Sequence, residues 1–230
     1  MPEILDIGNT FTRIAEWNGG EFTGLRRLPT CELGKLPECP GGRVAACVCP
    51  EVRRKLEADG AIRFISAWDQ CSRVDFSPVD RNTLGADRVA NAIAAAEFYP
   101  LPAVVIDCGT ALTMEVVDAR RRFVGGAIAP GRLLLRQALA SGTAQLPKLP
   151  VSAVLPEKIG CNTADAITFG VDVGAVGIIR QWLDKVSAAY PGSTVILTGG
   201  DAPFFAPQFL EAALADRFFT LHGIRIAGGY

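Results

Sequence analysis

The 230-residue chain holds a single histidine, two methionines and no run of lysine or arginine longer than three. With 23 basic against 24 acidic side chains its formal net charge is −1, so it lacks the concentrated positive footprint that a nucleic-acid backbone requires. The one tight cluster, Arg120 to Arg122, reads as a solvated turn between two strands. Long apolar runs are missing as well. The most apolar stretch, Ala92 to Ile106, is interrupted by Glu97, Pro100 and Pro102, whereas a membrane helix needs about 20 apolar residues in a row. Neither nucleic acid nor membrane is expected as a partner.

Paired CxxC spacing is absent too. Seven cysteines, at 31, 39, 47, 49, 71, 108 and 161, suggest neither a disulfide framework nor a zinc knuckle. Cys47 and Cys49 lie in an apolar strand-like run and read as buried free thiols. The opening, MPEILDIGNT, carries an acid where a signal peptide needs positive charge, and its apolar run stops at Asp6, so a cytoplasmic location is expected. What the chain has instead is bulk: 49% hydrophobic residues at a length that buries roughly 70–75% of the unfolded surface without a staple.

It also has a repeat. Ile4 to Gly24 falls on Val105 to Gly125 at an offset of 101 residues, matching Asp6 with Asp107, Gly8 with Gly109, Thr12 with Thr113, Phe22 with Phe123 and Gly24 with Gly125. Both copies read as an apolar strand ending in D-x-G, a tight turn, a second strand, a polar turn and a third strand. An acid at a strand tip beside small residues lets backbone N–H groups and hydroxyls approach an anion while the carboxylate holds a cation. A lone D-x-G marks a hairpin turn more often than a site. Two in register point to a clamp on a polyphosphate and its metal.

Between the copies, Gly85-Ala86-Asp87-Arg88 precedes an alanine-rich run that reads as a helix, with Asp87 near its positive N-terminus. After the second copy, residues 125–131 form a glycine-rich loop leading into an apolar-periodic helix from about Arg132. Residues 195–202, VILTGGDA, read as a buried strand running into a glycine pair where a flat ring can lie against backbone. Trp182 falls in an amphipathic helical pattern, and the apolar faces around residues 171–183 suit a core or a dimer interface.

DIGNT at 6–10, GADR at 85–88, DCGTALT at 107–113, GGAIAPG at 125–131, GCNTADAITFG at 160–170 and LTGG at 197–200 together resemble the type III pantothenate kinases of the acetate and sugar kinase/Hsp70/actin superfamily. The order and spacing match along nearly the whole chain. The resemblance implies an α/β fold of two ribonuclease H-like lobes, residues 1–102 and 103–230, with the active site in the cleft between them. It implies ATP-dependent phosphorylation of the primary hydroxyl of pantothenate, the first step of coenzyme A synthesis, by a cytoplasmic homodimer.

On that resemblance Asp6, Ile7, Gly8, Asn9, Thr10, Phe11, Thr12 and Arg13 form the ATP phosphate loop, with Asp6 near Mg²⁺. Asp87 is the base that takes the hydroxyl proton, and Gly85, Ala86 and Arg88 line the substrate. Asp107 holds a monovalent cation, K⁺ or NH₄⁺, and Thr110 contacts nucleotide phosphate. Thr163 touches pantothenate from the neighbouring side of a dimer, and Gly199 and Gly200 lie near the adenosine.

The chain departs from the family pattern in places. Pro78 stands where a tyrosine usually lines the pantothenate site, Cys161 replaces a common lysine, and His222 lies where an acid is frequent. His222 has no part in the family mechanism, so a packing or surface role is expected. The alternatives to a pantothenate kinase are a nucleotide-binding accessory or regulatory paralogue, a kinase for a different small alcohol, or a phosphate-ester hydrolase on the same scaffold.

Overall fold

A computed structural model describes residues 1–34, 36–58, 60, 62–69 and 73–230, so Cys71 lies outside the described residues. The strands are β1 (Glu3–Ile7), β2 (Phe11–Trp17), β3 (Phe22–Pro29), β4 (Arg43–Cys47), β5 (Arg63–Phe64), β6 (Ala103–Cys108), β7 (Ala111–Val117), β8 (Phe123–Pro130), β9 (Thr194–Thr198) and β10 (Ala213–Leu214). The α-helices are α1 (Pro50–Ala58), α2 (Ala86–Phe98), α3 (Arg132–Gly142), α4 (Thr163–Ala189), α5 (Ala202–Phe205) and α6 (Phe219–Gly228).

Two five-stranded sheets run in the orders β3-β2-β1-β4-β5 and β8-β7-β6-β9-β10. Counted within each copy, both are third-second-first-fourth-fifth, the ribonuclease H-like arrangement. The repeat read from the sequence is therefore a repeat of structure. The third strands β3 and β8 begin at Phe22 and Phe123 and end at Pro29 and Pro130, keeping the offset of the sequence match. Gly24 and Gly125 both take positive φ, 62° and 135°, a backbone setting that side chains with a Cβ resist.

The chain divides into two compact units, and neither is continuous. One comprises Met1–Leu101, Val116–Gly125 and Asp216–Tyr230, and the other Pro102–Glu115 and Gly126–Ala215. The division expected at 102/103 treated the lobes as uninterrupted segments, whereas α6 at the C-terminus belongs with the first unit. The reason is packing: α6 buries Leu221, Ile224 and Ala227 in the same core as Ile4, Val44, Ala90 and Ile93. Its Gly223 meets the Ala90 backbone of α2 so closely that a Cβ there would overlap the carbonyl. Ala90 and Ala94, one turn apart on α2 and at 0% exposure, are small enough to permit that approach.

In the first unit β1 pairs antiparallel with β2 and parallel with β4. Ile4, Leu5, Val44 and Ala45 are fully buried, the pattern of central strands covered on both faces. In the second unit β6 pairs parallel with β9, aligning Asp107 with Thr198, and β9 pairs parallel with β10. The helix α4 is 27 residues long, and by length and composition alone it is apolar enough to cross a membrane, a feature the sequence reading did not single out. Its Ile167, Val171, Ala175, Val176 and Ile179 are buried on one face and its Asp172 is ion-paired, while 33% of its most apolar window is buried in all.

His222 on α6 takes the packing role expected of it. Its ring stands edge-on to Trp17, Phe22 and Phe98, and its Nδ1 accepts a hydrogen bond from Arg225 Nε at 3.0 Å. Burial, then the Arg225 charge, lowers its pKa against a smaller opposing pull from Asp216. The unfolded chain thus binds the proton more readily, and stability is lost as pH falls through about 6.5 and below. We expect thermal melts between about pH 8 and pH 5 to show a decline that is shallower in His222→Gln than in the unsubstituted protein. Parallel slopes would count against the assignment.

Candidate active site

The first hairpin is built by pairing. Asp6 and Arg13 lie opposite each other in the β1–β2 register, and Arg13 donates from Nε at 3.0 Å and Nη2 at 2.6 Å to Asp6 Oδ2. The Asp6 side chain is 15% exposed, so this carboxylate already shares its charge with a cation. At the tip, Gly8 N–H donates to the Phe11 carbonyl at 3.1 Å, while Asn9, Thr10 and Phe11 are exposed. A guanidinium, Arg27, stacks on the Phe11 ring with its carbon 3.5 Å from the ring centre.

Thr12 faces the other way. It is fully buried, its hydroxyl 3.0 Å from that of Thr30, which in turn donates to the Gly8 carbonyl at 2.7 Å. The Thr30 N–H also donates to the Thr10 carbonyl at 2.9 Å. Thr12 and Thr30 thus brace the turn from within, and Thr30 is a contributor that sequence reasoning missed.

Asp87 sits in the first turn of α2, whose N-cap is Gly85. Its Oδ1 accepts from the Arg88 N–H at 2.8 Å, folding the carboxylate back over the helix start. A Cβ on Gly85 would come within 2.6 Å of that oxygen, so glycine is what leaves the acid room. Ala86 is buried beneath it, and the Arg88 guanidinium carbon lies 5.7 Å from the Phe123 ring centre. Pro78, seven residues before Gly85, is exposed.

In the second unit Asp107 and the glycine pair come together because β6 and β9 are neighbours. Gly199, at φ +92°, packs so tightly that a Cβ would overlap Asp107 Oδ1 and the Cys108 carbonyl. Gly131 packs on the second hairpin tip in the same way: its N–H donates to the Thr110 carbonyl at 2.9 Å, and a Cβ would lie 2.6 Å from that oxygen. By the repeat, the position equivalent to Arg13 is Met114. Burial first, then the Asp107 and Asp201 carboxylates, push the Cys108 thiol far above its ordinary range, which keeps it neutral.

Thr163 is the first residue of α4, exposed, and set by Asn162: the Asn162 side chain accepts from the Asp165 N–H at 2.9 Å and donates to its carboxylate at 2.7 Å, a reciprocal cap. Gly160 lies flat on this turn, where a Cβ would overlap Ala166. Thr163 opens onto an apolar groove of about 890 Å³ between α3 and α4, lined by Leu135, Leu139, Leu146, Ile167, Val171 and Ile178 among others. The structure thus groups Asp107, Thr110, Gly199 and Gly131 at one end of the second sheet, with Thr163 placed at the mouth of that groove.

The family model for type III pantothenate kinases matches residues 38–185. A type III pantothenate kinase of Rubrobacter xylanophilus is 37% identical over 257 aligned positions, covering 98% of this chain and 96% of its own. The chain belongs to the type III pantothenate kinase family. Another member, from Thermosynechococcus vestitus, is 43% identical over 136 residues, 59% of this chain and 54% of that one. Among solved structures, a protein of Campylobacter jejuni described as a Baf-family transcriptional activator superposes with a TM-score of 0.65 at 20% identity, covering 98% of this chain and 96% of its own. That likeness bears on the fold alone; five of the six motifs fall on strand ends, helix starts and turns, whereas GGAIAPG at 125–131, expected as a loop, lies within β8 up to Pro130.

Sequence reasoning missed the charges behind the second site. Arg132, Arg136 and Asp172 are at most 1% exposed and form one ion-paired cluster with Asp201. The acid Asp172 inside the apolar stretch 166–179 of α4, and arginines four apart on α3, were the available signals.

Proposed function

We propose that this chain transfers the γ-phosphoryl group of ATP to the primary hydroxyl of pantothenate, giving 4'-phosphopantothenate for coenzyme A synthesis. The observation that carries the reading is family membership together with the retention of Asp6, Asp87 and Asp107. Such transfer asks a protein for alignment and charge stabilisation rather than covalent chemistry. The Gly8–Phe11 tip and Thr110 receive phosphate oxygens, and Gly199 and Gly200 lie against the adenosine. Asp87 accepts the hydroxyl proton as the oxygen attacks phosphorus. Gly85, Ala86, Arg88 and Thr163 line the pantothenate.

Among the described residues no three acids, histidines or cysteines gather into a metal cage. Mg²⁺ prefers one or two carboxylates completed by phosphate oxygens and water, and Asp6 would hold it. Asp107 Oδ1 and the Cys108 carbonyl lie side by side against Gly199, and such a pair of oxygens is the donor type that K⁺ or NH₄⁺ takes. Bound cations would supply neutralisation of the charge on the phosphates.

A second copy of the chain is the occupant of the α3–α4 groove. Its apolar lining, and the exposed small residues Ala166, Gly170 and Gly174 on α4, support close approach of another helix pair. The homodimer works in the cytoplasm without nucleic-acid or membrane partners.

Purified protein with ATP, Mg²⁺ and pantothenate is expected to form phosphopantothenate only when K⁺ or NH₄⁺ is added. Asp107→Asn is expected to raise the cation requirement or remove activity. ATP binding without turnover of pantothenate would favour the accessory reading instead. Phosphate release that ignores pantothenate would favour hydrolysis.

A further inference from the structure

Two arginines and an aspartate buried to 1% exposure or less are an unusual investment for a small lobe. Well-packed apolar side chains in their place would serve stability as well or better, because the desolvation of buried charges offsets most of their attraction. The geometry of the cluster shows what it holds. Arg132 forks onto Asp201, Nε to Oδ2 at 2.8 Å and Nη2 to Oδ1 at 2.6 Å. Its Nη1 donates to the Ser152 carbonyl at 3.0 Å and lies 3.1 Å from Asp172 Oδ1, and its guanidinium carbon stands 3.3 Å from the Phe204 ring centre. Arg136 grips Asp172 from the far side with two bonds, at 2.8 and 3.1 Å. Burial works against the Arg132 charge, but hydrogen-bonded Asp201 and nearby Asp172 outweigh it and keep the group firmly protonated.

Asp201 is the residue after the glycine pair. Its N–H donates to the Cys108 carbonyl at 2.8 Å, and the Ala202 N–H closes the turn on the Gly199 carbonyl at 3.2 Å. Gly131, immediately before Arg132, holds the Thr110 carbonyl. The Arg132 guanidinium on Asp201, with the backbone N–H groups of Gly131 on Thr110 and of Asp201 on Cys108, therefore ties the start of α3 to the turn at 199–201 and to the hairpin tip at 107–110.

We propose that Arg132 is a positioning residue for the nucleotide end of the reaction: by fixing Asp201, it sets the Gly199–Asp201 turn against the Asp107 end of β6. The proposal rests on the assignment of that turn to adenosine and of Asp107 to the monovalent cation. Because Gly199 is packed directly on Asp107, any slip of the turn disturbs both at once. Lysine keeps the charge but cannot make the fork, so it separates charge from geometry.

The test compares the unsubstituted protein with Arg132→Lys. ATP affinity is measured by calorimetry without pantothenate, and KM for ATP, KM for pantothenate and the potassium activation constant are measured by turnover. Arg132→Lys is expected to weaken ATP binding and raise the potassium constant about ten-fold each, as loss of a charge-assisted bond would, with pantothenate KM changed less than about two-fold. Asp201→Asn, at a position 25% exposed, is expected to shift the same two constants by less and carries the test should Arg132→Lys fail to fold. Unchanged ATP and potassium constants in a folded variant, or an equal rise in all three, would overturn the proposal. A protein that binds ATP yet never phosphorylates pantothenate would overturn the substrate reading alone, because the calorimetric comparison still stands. A protein that binds no ATP would overturn both.

Discussion

Replacing Asp87 with asparagine is expected to lower turnover by about 10²–10⁴-fold, the range lost with a general base, while ATP affinity changes less than about two-fold. The substitution isolates the proton acceptor because it removes the charge while keeping the shape of the side chain. An asparagine Oδ1 can still accept the Arg88 N–H, now at 2.8 Å, and the gap left by Gly85 is undisturbed. Loss of a negative charge from the first turn of α2 costs about 0.5 kcal/mol of helix stability, too little to unfold the lobe. Single-turnover phosphoryl transfer, set beside calorimetric ATP binding, checks the expectation. Wild-type turnover in Asp87→Asn would remove this residue from the chemistry.

The largest expected effect on stability comes from a single methyl group. Gly223→Ala places a Cβ inside the Ala90 carbonyl of α2, and backbone cannot rotate away as a side chain would. Either α6 lifts from α2 or both helices shift, exposing part of the core that Leu221 and Ile224 fill at 0% exposure. We expect a loss of about 3 kcal/mol, the upper end for overpacking, read from urea denaturation. Gly177→Ala on α4 is the matched contrast: nothing lies within 4 Å of its Cβ, so the helix gains up to about 1 kcal/mol. Equal midpoints for the two variants would show that the α2–α6 contact tolerates more than its geometry suggests.

Much of this was legible in the sequence, for identifiable reasons. The two hairpins were visible because a tight turn after an acid-tipped strand needs glycine and small residues, and the same demand recurs at the same spacing. The helix after GADR was visible because alanine favours helix, and its N-terminal acid follows the dipole. Other features needed coordinates. Thr12 stands in the phosphate-loop motif, yet strand alternation puts it on the same buried face as Ile14, with its hydroxyl committed to Thr30. That alternation was readable in principle.

The return of α6 to the first unit was not readable, because an apolar helix face states that it needs a partner and not which one. Nor was the Arg132–Asp201 fork, whose members stand 69 residues apart. The aspartate inside α4 has the same history: in the sequence it interrupts an apolar run, and only packing reveals the arginines it neutralises.

The thiols described above divide the molecule for anyone wishing to watch it at work. Cys31 and Cys161 are exposed, whereas Cys108 is enclosed and held protonated by its surroundings, so maleimide dyes at neutral pH will discriminate between them. Cys161 immediately precedes the cap of α4, beside the groove, which makes it a natural attachment point for a fluorophore reporting what enters that groove.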